Sequence, residues 1–284
     1  GTETYAPIEF TPPLSPDAPS DGPRARALAA AVFKLETGKP LVLDDYQIKV
    51  IDSILELYPD DYPVEHLRGC LRFRQAIVSI PRRNGKSLFA SVLTTYSLLL
   101  SDAPSVGVLA STKEQAKEVF DNTKYNFENN PGLKVRFKVT HQKGIESKNP
   151  ALPAHFKIHA GNGDGLQGLT FTGLVPVVVD ELHLTKPEAY DAAVKGASTS
   201  LSAVVIGITT AGTDDSELLK RLYKTGQAAI AGGDESNPRF GFWHWYVPSE
   251  YPLFDRTALL RANPAAQTVP PRIDIDQEIL EGKN

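Results

Sequence analysis

The sequence predicts an α/β fold with a mostly parallel central sheet flanked by helices. Two observations carry this. Short apolar runs alternate along the chain with helix-period segments, the pattern of strands joined by crossover helices. Two of those runs, VPVVVDE (175–181) and AVVIGITT (203–210), are continuous Val/Ile stretches, as expected for strands covered on both faces.

Taken in order, residues 1–24 are rich in Pro, Thr, Ser and Asp, lack periodicity, and read as an extended arm. Residues 25–254 read as one domain. A helix runs from Ala25 to Leu35, and a second covers Asp45–Tyr58, where Ile48, Ile51, Leu55 and Tyr58 share a face. QAIVSI (75–80) is a strand, PRRNGKS a loop, and Leu88 to about Leu100 a helix. SVGVLAS (105–111) is the next strand, and Ser111-Thr112 with Glu114 marks a helix start. KVRFKVT (134–140) and HFKIHA (155–160) alternate like half-buried strands. Residues 255–284 are polar and Pro-rich (ANPAAQTVPPRIDID) and read as a linker without a core of its own.

Composition bounds the function. The 284 residues are 41% hydrophobic and 23% charged with a net charge of −4, which excludes disordered and fibrous classes and a small, uniformly basic nucleic-acid binder. A local basic patch remains compatible with that balance. The single cysteine, Cys70, excludes a disulfide framework and a zinc cluster. No apolar run approaches the ~20 residues that cross a bilayer, and GTETYAPIEF has neither the basic nor the apolar region of a secretory signal. The expectation is a soluble, cytoplasmic protein with no membrane contact.

The chemistry concentrates in IPRRNGKS (80–87), which follows a strand and opens a helix. That is the context of a phosphate-binding loop: backbone N–H groups at the helix start face anionic phosphates. Lys86 would reach the β- and γ-phosphates and the Ser87 hydroxyl would coordinate Mg²⁺, while Gly85 admits close backbone approach. Ile80 stands where the common motif has its first Gly. Alone, such a loop also fits an ordinary helix N-cap. VVVDE decides the reading, because it ends a buried strand with Asp180 and Glu181. Carboxylates at such a place are costly unless a metal or a reaction uses them. With the loop, they fit a nucleotide hydrolase in which Asp180 supports Mg²⁺ and Glu181 polarises water.

GITTAG (207–212) ends another buried strand in hydroxyls, so Thr209 and Thr210 are either γ-phosphate sensors or plain strand-terminal threonines. Gln47 in LDDYQ (43–47) offers an amide able to pair with an adenine edge, although Asp-Asp is also a normal helix start. Gly163, Gly165 and Gly168 spell a dinucleotide fingerprint but lead into a strand rather than a helix, which excludes that motif. His155 and His159 share a strand face without further ligands, so a metal site is not expected there.

In this order the motifs LDDYQ, PRRNGKS, STKEQA (111–116), VVVDELH (177–183) and ITTAG (208–212) resemble the ATPase domain of the large terminase subunit. That subunit is the genome-packaging motor of tailed double-stranded DNA phages. The Asn263-Pro264 pair is similar to the family's linker toward a second, nuclease domain, so residues 255–284 would lead toward one. The resemblance implies a RecA-like P-loop ATPase, ATP with Mg²⁺, and double-stranded DNA as cargo. It also implies a homo-oligomeric ring on the procapsid, monomeric when isolated, that meets the portal protein and the small terminase subunit in the host cytoplasm. By analogy Gln47 would contact adenine; Pro81, Arg82, Asn84, Gly85, Lys86 and Ser87 would form the nucleotide loop; Asp180 would support the metal. Glu181 would activate water, and Thr209 and Thr210 would couple hydrolysis to movement. Many members carry Arg-Gly before the acidic strand as an arginine finger, but here Gln167-Gly168 stands there. The finger must come from elsewhere: Arg83 or Arg82 in the loop, Arg136, or Arg221. No DNA cleavage is expected, since Asp274 and Asp276 read as solvated linker residues.

Two other readings fit parts of the pattern. A superfamily 2-type helicase shares Asp180-Glu181-Leu182-His183 but needs a second, arginine-rich motor domain; unwinding of a forked duplex separates it from a packaging motor. A nucleotide-binding interaction domain without turnover has no use for Glu181.

Overall fold

The register of a parallel sheet places the chemistry. In the computed structural model, which describes residues 6–35, 37–140, 144–160, 166–210, 216–233 and 236–282, nine described strands form one sheet. They are β1 (Glu9–Phe10), β2 (Gln75–Ser79), β3 (Ser105–Ala110), β4 (Phe137–Thr140), β5 (Gly144–Ser147), β6 (His155–Ala160), β7 (Val177–Asp180), β8 (Val205–Thr209) and β9 (Phe240–His244). Their order is β1-β9-β2-β8-β7-β3-β6-β5-β4. The strands from β9 to β6 are mutually parallel, and the edges are antiparallel. Ser79 pairs with Thr209, and Asp180 pairs with Ile208. The loop after β2 and the acids after β7 therefore leave the same end of the sheet on either side of β8.

Helices cover both faces, so the inner strands must be apolar on both. Ala76 and Val78 of β2, Val178 of β7 and Ile206 and Ile208 of β8 share one buried cluster with α1 (Gly22–Val32), α2 (Asp45–Ile54), α3 (Lys86–Leu100) and α4 (Lys113–Asn129). Ile77, Leu109, Val177, Val179 and Val205 pack on the other face against α6 (Pro187–Gly196) and α7 (Glu217–Ala231). The helix α3 is buried nearly all round, from Phe89 to Leu98. This explains its Leu/Tyr/Val content where a surface helix would keep a polar face.

Several elements depart from the sequence reading. Residues 134–140 do not form one strand: Asn130 caps a short helix, α5 (Pro131–Arg136), and β4 begins only at Phe137. The Asn130 carboxamide oxygen accepts from the Gly132 and Leu133 N–H groups, and Pro131 suits the first helical position, so local capping overrides the alternation. The N-terminal segment adds β1 to the sheet edge and is pinned further along. Arg72 Nη1 donates to the Pro12 carbonyl and to Glu56, while Glu56 also accepts from the Leu14 N–H at 2.7 Å. The segment from Asp255, expected as a linker, folds into α8 (Arg256–Ala262) and α9 (Ile275–Gly282). It buries Ala258, Ala262, Ala265, Ile273 and Ile275.

Candidate active site

At the carboxyl end of the parallel strands, the loop, the acids and one face of α4 enclose an open cavity of about 540 Å³. Its walls include Arg82, Arg83, Gly85, Lys86, Ser87, Asp180 and Glu181. Strand ends in open α/β sheets are where ligands bind, because the loops there diverge to leave a crevice.

The loop has the backbone form of an anion cradle. Arg83 and Gly85 both have positive φ, +63° and +71°, on either side of Asn84. Alternating the sign of φ turns successive N–H groups toward one side, forming a concave nest for anions. Arg83 thus supplies a left-handed turn in a loop that lacks the motif's first glycine. Gly85 is the N-cap of α3, and a Cβ there would lie 2.7 Å from Gln47 Nε2. Asn84 is buried, and its side chain ties the loop together: Nδ2 donates to the carbonyls of Pro81 and Arg82 and to Asn263 Oδ1. Its Oδ1 accepts from the Ala265 N–H at 2.9 Å.

Opposite the loop stand the acids. Lys86 Nζ lies 3.5 Å from Glu181 Oε1, bringing loop and acidic strand into one ion pair. Asp180 is 6% exposed. Burial, then the neighbouring Glu181 carboxylate, pushes its carboxyl up to about 6, against the pull of Lys86 and of the Glu181 N–H. Glu181 has left-handed backbone, φ +53°, and a one-turn helix over Leu182–Leu184 follows. That turn brings His183 back toward its carboxylate, with Nδ1 3.1 Å from Oε2.

The structure does not gather all the expected residues. Thr209 is fully buried, and its hydroxyl faces His183 rather than the cavity; Thr210 is also buried and outside the lining. Ala211 and Gly212, like Gly163 and Gly165, lie outside the described residues. Gln47 sits beneath the loop, with Oε1 accepting from the Asp44 N–H at 2.9 Å to cap α2, while its buried Nε2 makes no hydrogen bond among the described residues. Of the arginines, Arg221 forms a two-pronged pair with Asp191, and Arg136 lies against Phe137 at the far end of the sheet. Arg83 pairs with Glu278 of α9. Arg82 is exposed on the cavity wall and, among the described residues, pairs with no carboxylate.

Four polar lining residues were given no site role in the sequence reading: Gln115, Glu118 and Asn122 of α4, and His183. The first three fall three and four positions apart, a polar stripe on one helix face. That stripe, immediately after a buried strand, is the signal that could have found them.

The family model described as the terminase large subunit, ATPase domain, matches residues 66–227, more than half of the chain. The chain belongs to the terminase large-subunit ATPase family. The match covers the loop, β7 and its acids, and β8. Among solved structures, this terminase domain is similar to the crystal structure of the HK97 bacteriophage large terminase. The likeness has a TM-score of 0.72 at 21% identity and covers 93% of this chain and 52% of that one. The terminase domain described here therefore spans about half the length of the HK97 protein, and the two share the RecA-like P-loop fold. A looser likeness, TM-score 0.47 at 18% identity, links it to the ATPase domain of the Thermus phage P74-26 large terminase, covering 60% of this chain and 74% of that one. No curated protein matches the sequence. Among the described residues, no helix is long and apolar enough to cross a membrane.

Proposed function

We propose that this terminase domain hydrolyses ATP and that the hydrolysis drives double-stranded viral DNA into a procapsid. The observation that carries the chemistry is the convergence of Lys86, from a nest-shaped loop, with Asp180 and Glu181 in one cavity. In this reading Lys86 and the loop N–H groups hold the β- and γ-phosphates, with Arg82 and Arg83 adding positive charge where phosphoryl transfer spreads it. Gln47 Nε2 has a free N–H to offer a ring nitrogen of adenine. Asp180 is buried and forms no ion pair among the described residues, so it suits a divalent ion, and with Ser87 it would hold Mg²⁺. That ion, when bound, would shield phosphate charge. Glu181 accepts a proton from the attacking water as its oxygen bonds to the γ-phosphorus and the bridging P–O bond breaks, leaving ADP and phosphate.

The coupling to DNA, the ring on the procapsid and the contacts with portal protein and small terminase subunit rest on membership of the terminase family. With a net charge of −4, a lone subunit should hold duplex weakly at physiological salt, because phosphate neutralisation supplies most non-specific affinity. A ring would concentrate basic groups on one channel.

The test is steady-state Mg²⁺-ATP hydrolysis across protein concentration, with wild type beside Glu181→Gln. Turnover that Glu181→Gln lowers by at least about a hundredfold supports the assignment. Equal turnover in both, or none at any concentration with or without procapsids and DNA, overturns it.

A further inference from the structure

The side chain of His183 is not part of the loop or the acid pair, yet it touches both the Glu181 carboxylate and the end of β8. Its Nδ1 lies 3.1 Å from Glu181 Oε2 and 3.2 Å from Thr209 Oγ1. The proton inventory fixes what each group can do. The Thr209 hydroxyl donates its one hydrogen to the Thr210 carbonyl at 2.7 Å, so it faces His183 only as an acceptor. It accepts there from the His183 backbone N–H at 3.3 Å as well. The carboxylate oxygen is also an acceptor. Facing an oxygen that donates elsewhere, Nδ1 carries the hydrogen of its bond to Thr209, and Glu181 Oε2, buried without a hydrogen-bond partner among the described residues, lies beside that bond.

We propose that His183 is a positioning residue for hydrolysis: its ring, tied through Nδ1 to Thr209 at the end of β8, stands 3.1 Å from Glu181 Oε2 and fixes where that carboxylate can lie. This rests on the reading of Glu181 as the water-activating base. Lys86 Nζ restrains the other oxygen, Oε1, at 3.5 Å. Phosphates in the loop compete for that ammonium, and His183 is then the restraint that remains on Glu181. The backbone is bent for this contact, since left-handed φ at a non-glycine residue is uphill and Glu181 adopts it where the chain turns back. Burial, with Lys86 and Arg82, holds the ring's pKa below the ordinary histidine value against the pull of the Glu181 carboxylate.

The experiment compares wild type, His183→Ala, His183→Asn and Thr209→Val for kcat, KM and affinity for a fluorescent ADP analogue. Asn places an amide where Nδ1 stood, so it can restore the donor without the ring. His183→Ala should lower kcat about tenfold or more with KM and ADP affinity within about twofold, because only the alignment of the base is lost. His183→Asn should recover most of that loss, and Thr209→Val should show a smaller fall of the same kind. In a Glu181→Gln background His183→Ala should have no further effect. Unchanged kcat in His183→Ala, or equal losses in Ala and Asn accompanied by weaker ADP binding, would overturn the proposal. Failure of the ATPase reading itself would show as a silent wild type. In that event ¹⁵N NMR of the ring still decides: a hydrogen on Nδ1 supports the anchor, and a bare Nδ1 refutes it.

Discussion

The most quantitative consequence of the site concerns a carboxylate that the fold does not favour. Asp180 is buried, and its carboxyl is pushed up from 3.8 to about 6, chiefly by burial. At about 1.4 kcal/mol per pH unit, that difference places an upper bound of about 3 kcal/mol on what ionised Asp180 costs the metal-free protein. Asp180→Asn keeps the shape and an oxygen for the Glu181 N–H, now 3.0 Å from Oδ1, while removing the charge. The sign follows from linkage. The folded chain binds this proton more tightly than the unfolded chain, so stability is lost as pH rises from 3.8 through 6 and the full cost is present above. In EDTA at pH 7.5, Asp180→Asn should therefore melt higher, by on the order of 5 °C for the full effect. At pH 4.5 the advantage should shrink to about 1 kcal/mol, because wild type is then largely protonated. Thermal denaturation of both proteins across pH 4.5–8 measures it directly. A difference that is absent, or that does not shrink toward low pH, would refute the argument that desolvation governs this residue. Mg²⁺ with ADP should raise the melting temperature of wild type and do little for the variant.

Two further outcomes follow from the loop. Gly85→Ala meets both a left-handed φ, worth about 1–2 kcal/mol, and the Gln47 amide 2.7 Å from the new methyl group. Urea titration should show that loss of stability, and binding of a fluorescent ADP analogue should fall well over tenfold; wild-type binding would refute the role of the cradle. Asn84→Ala removes the partners of the buried Ala265 N–H and of Asn263 Oδ1, at about 1–3 kcal/mol. Limited proteolysis should then cut within residues 255–282 faster than in wild type, and equal rates would mean that the clasp holds nothing.

The parts of this protein that were legible in the sequence are those whose physics is local. Strand β2 followed by Asn84-Gly85-Lys86-Ser87, and β7 ending in Asp180-Glu181, can be read because buried parallel strands are continuous apolar runs and their loops carry the chemistry next in sequence. Even the helix starts at Thr112 and Asp44 appear as capping patterns, although the N3 partners are Gln115 and Gln47. Long-range partnership was not legible. The segment after Asp255 packs through small or isolated apolar residues, Ala258, Ala262, Ala265, Ile273 and Ile275, set among prolines. No periodicity announces such contacts. Asn263 reads as part of a linker until Asn84 is found 3.1 Å away. His183 is similar: a histidine after two acids has many bland uses, and only the distances to Glu181 and Thr209 separate them.

A pattern in where the structure is unfavourable strengthens the functional reading. Among the described residues, four non-glycine residues have left-handed backbone, and two of them, Arg83 and Glu181, border the same cavity. Asp180, a buried carboxylate that forms no ion pair among the described residues, lines it too. Beneath the loop Gln47 Nε2 is buried and makes no hydrogen bond among the described residues. Each feature costs free energy in the protein alone, on the order of 1–3 kcal/mol. A Mg²⁺-nucleotide would satisfy several at once: a cation at Asp180, phosphates on the Arg83–Gly85 nest, an acceptor for Gln47. Strain scattered by chance would not collect around one ligand. Its concentration here is what a site shaped to bind, and to be reset by, a nucleotide requires.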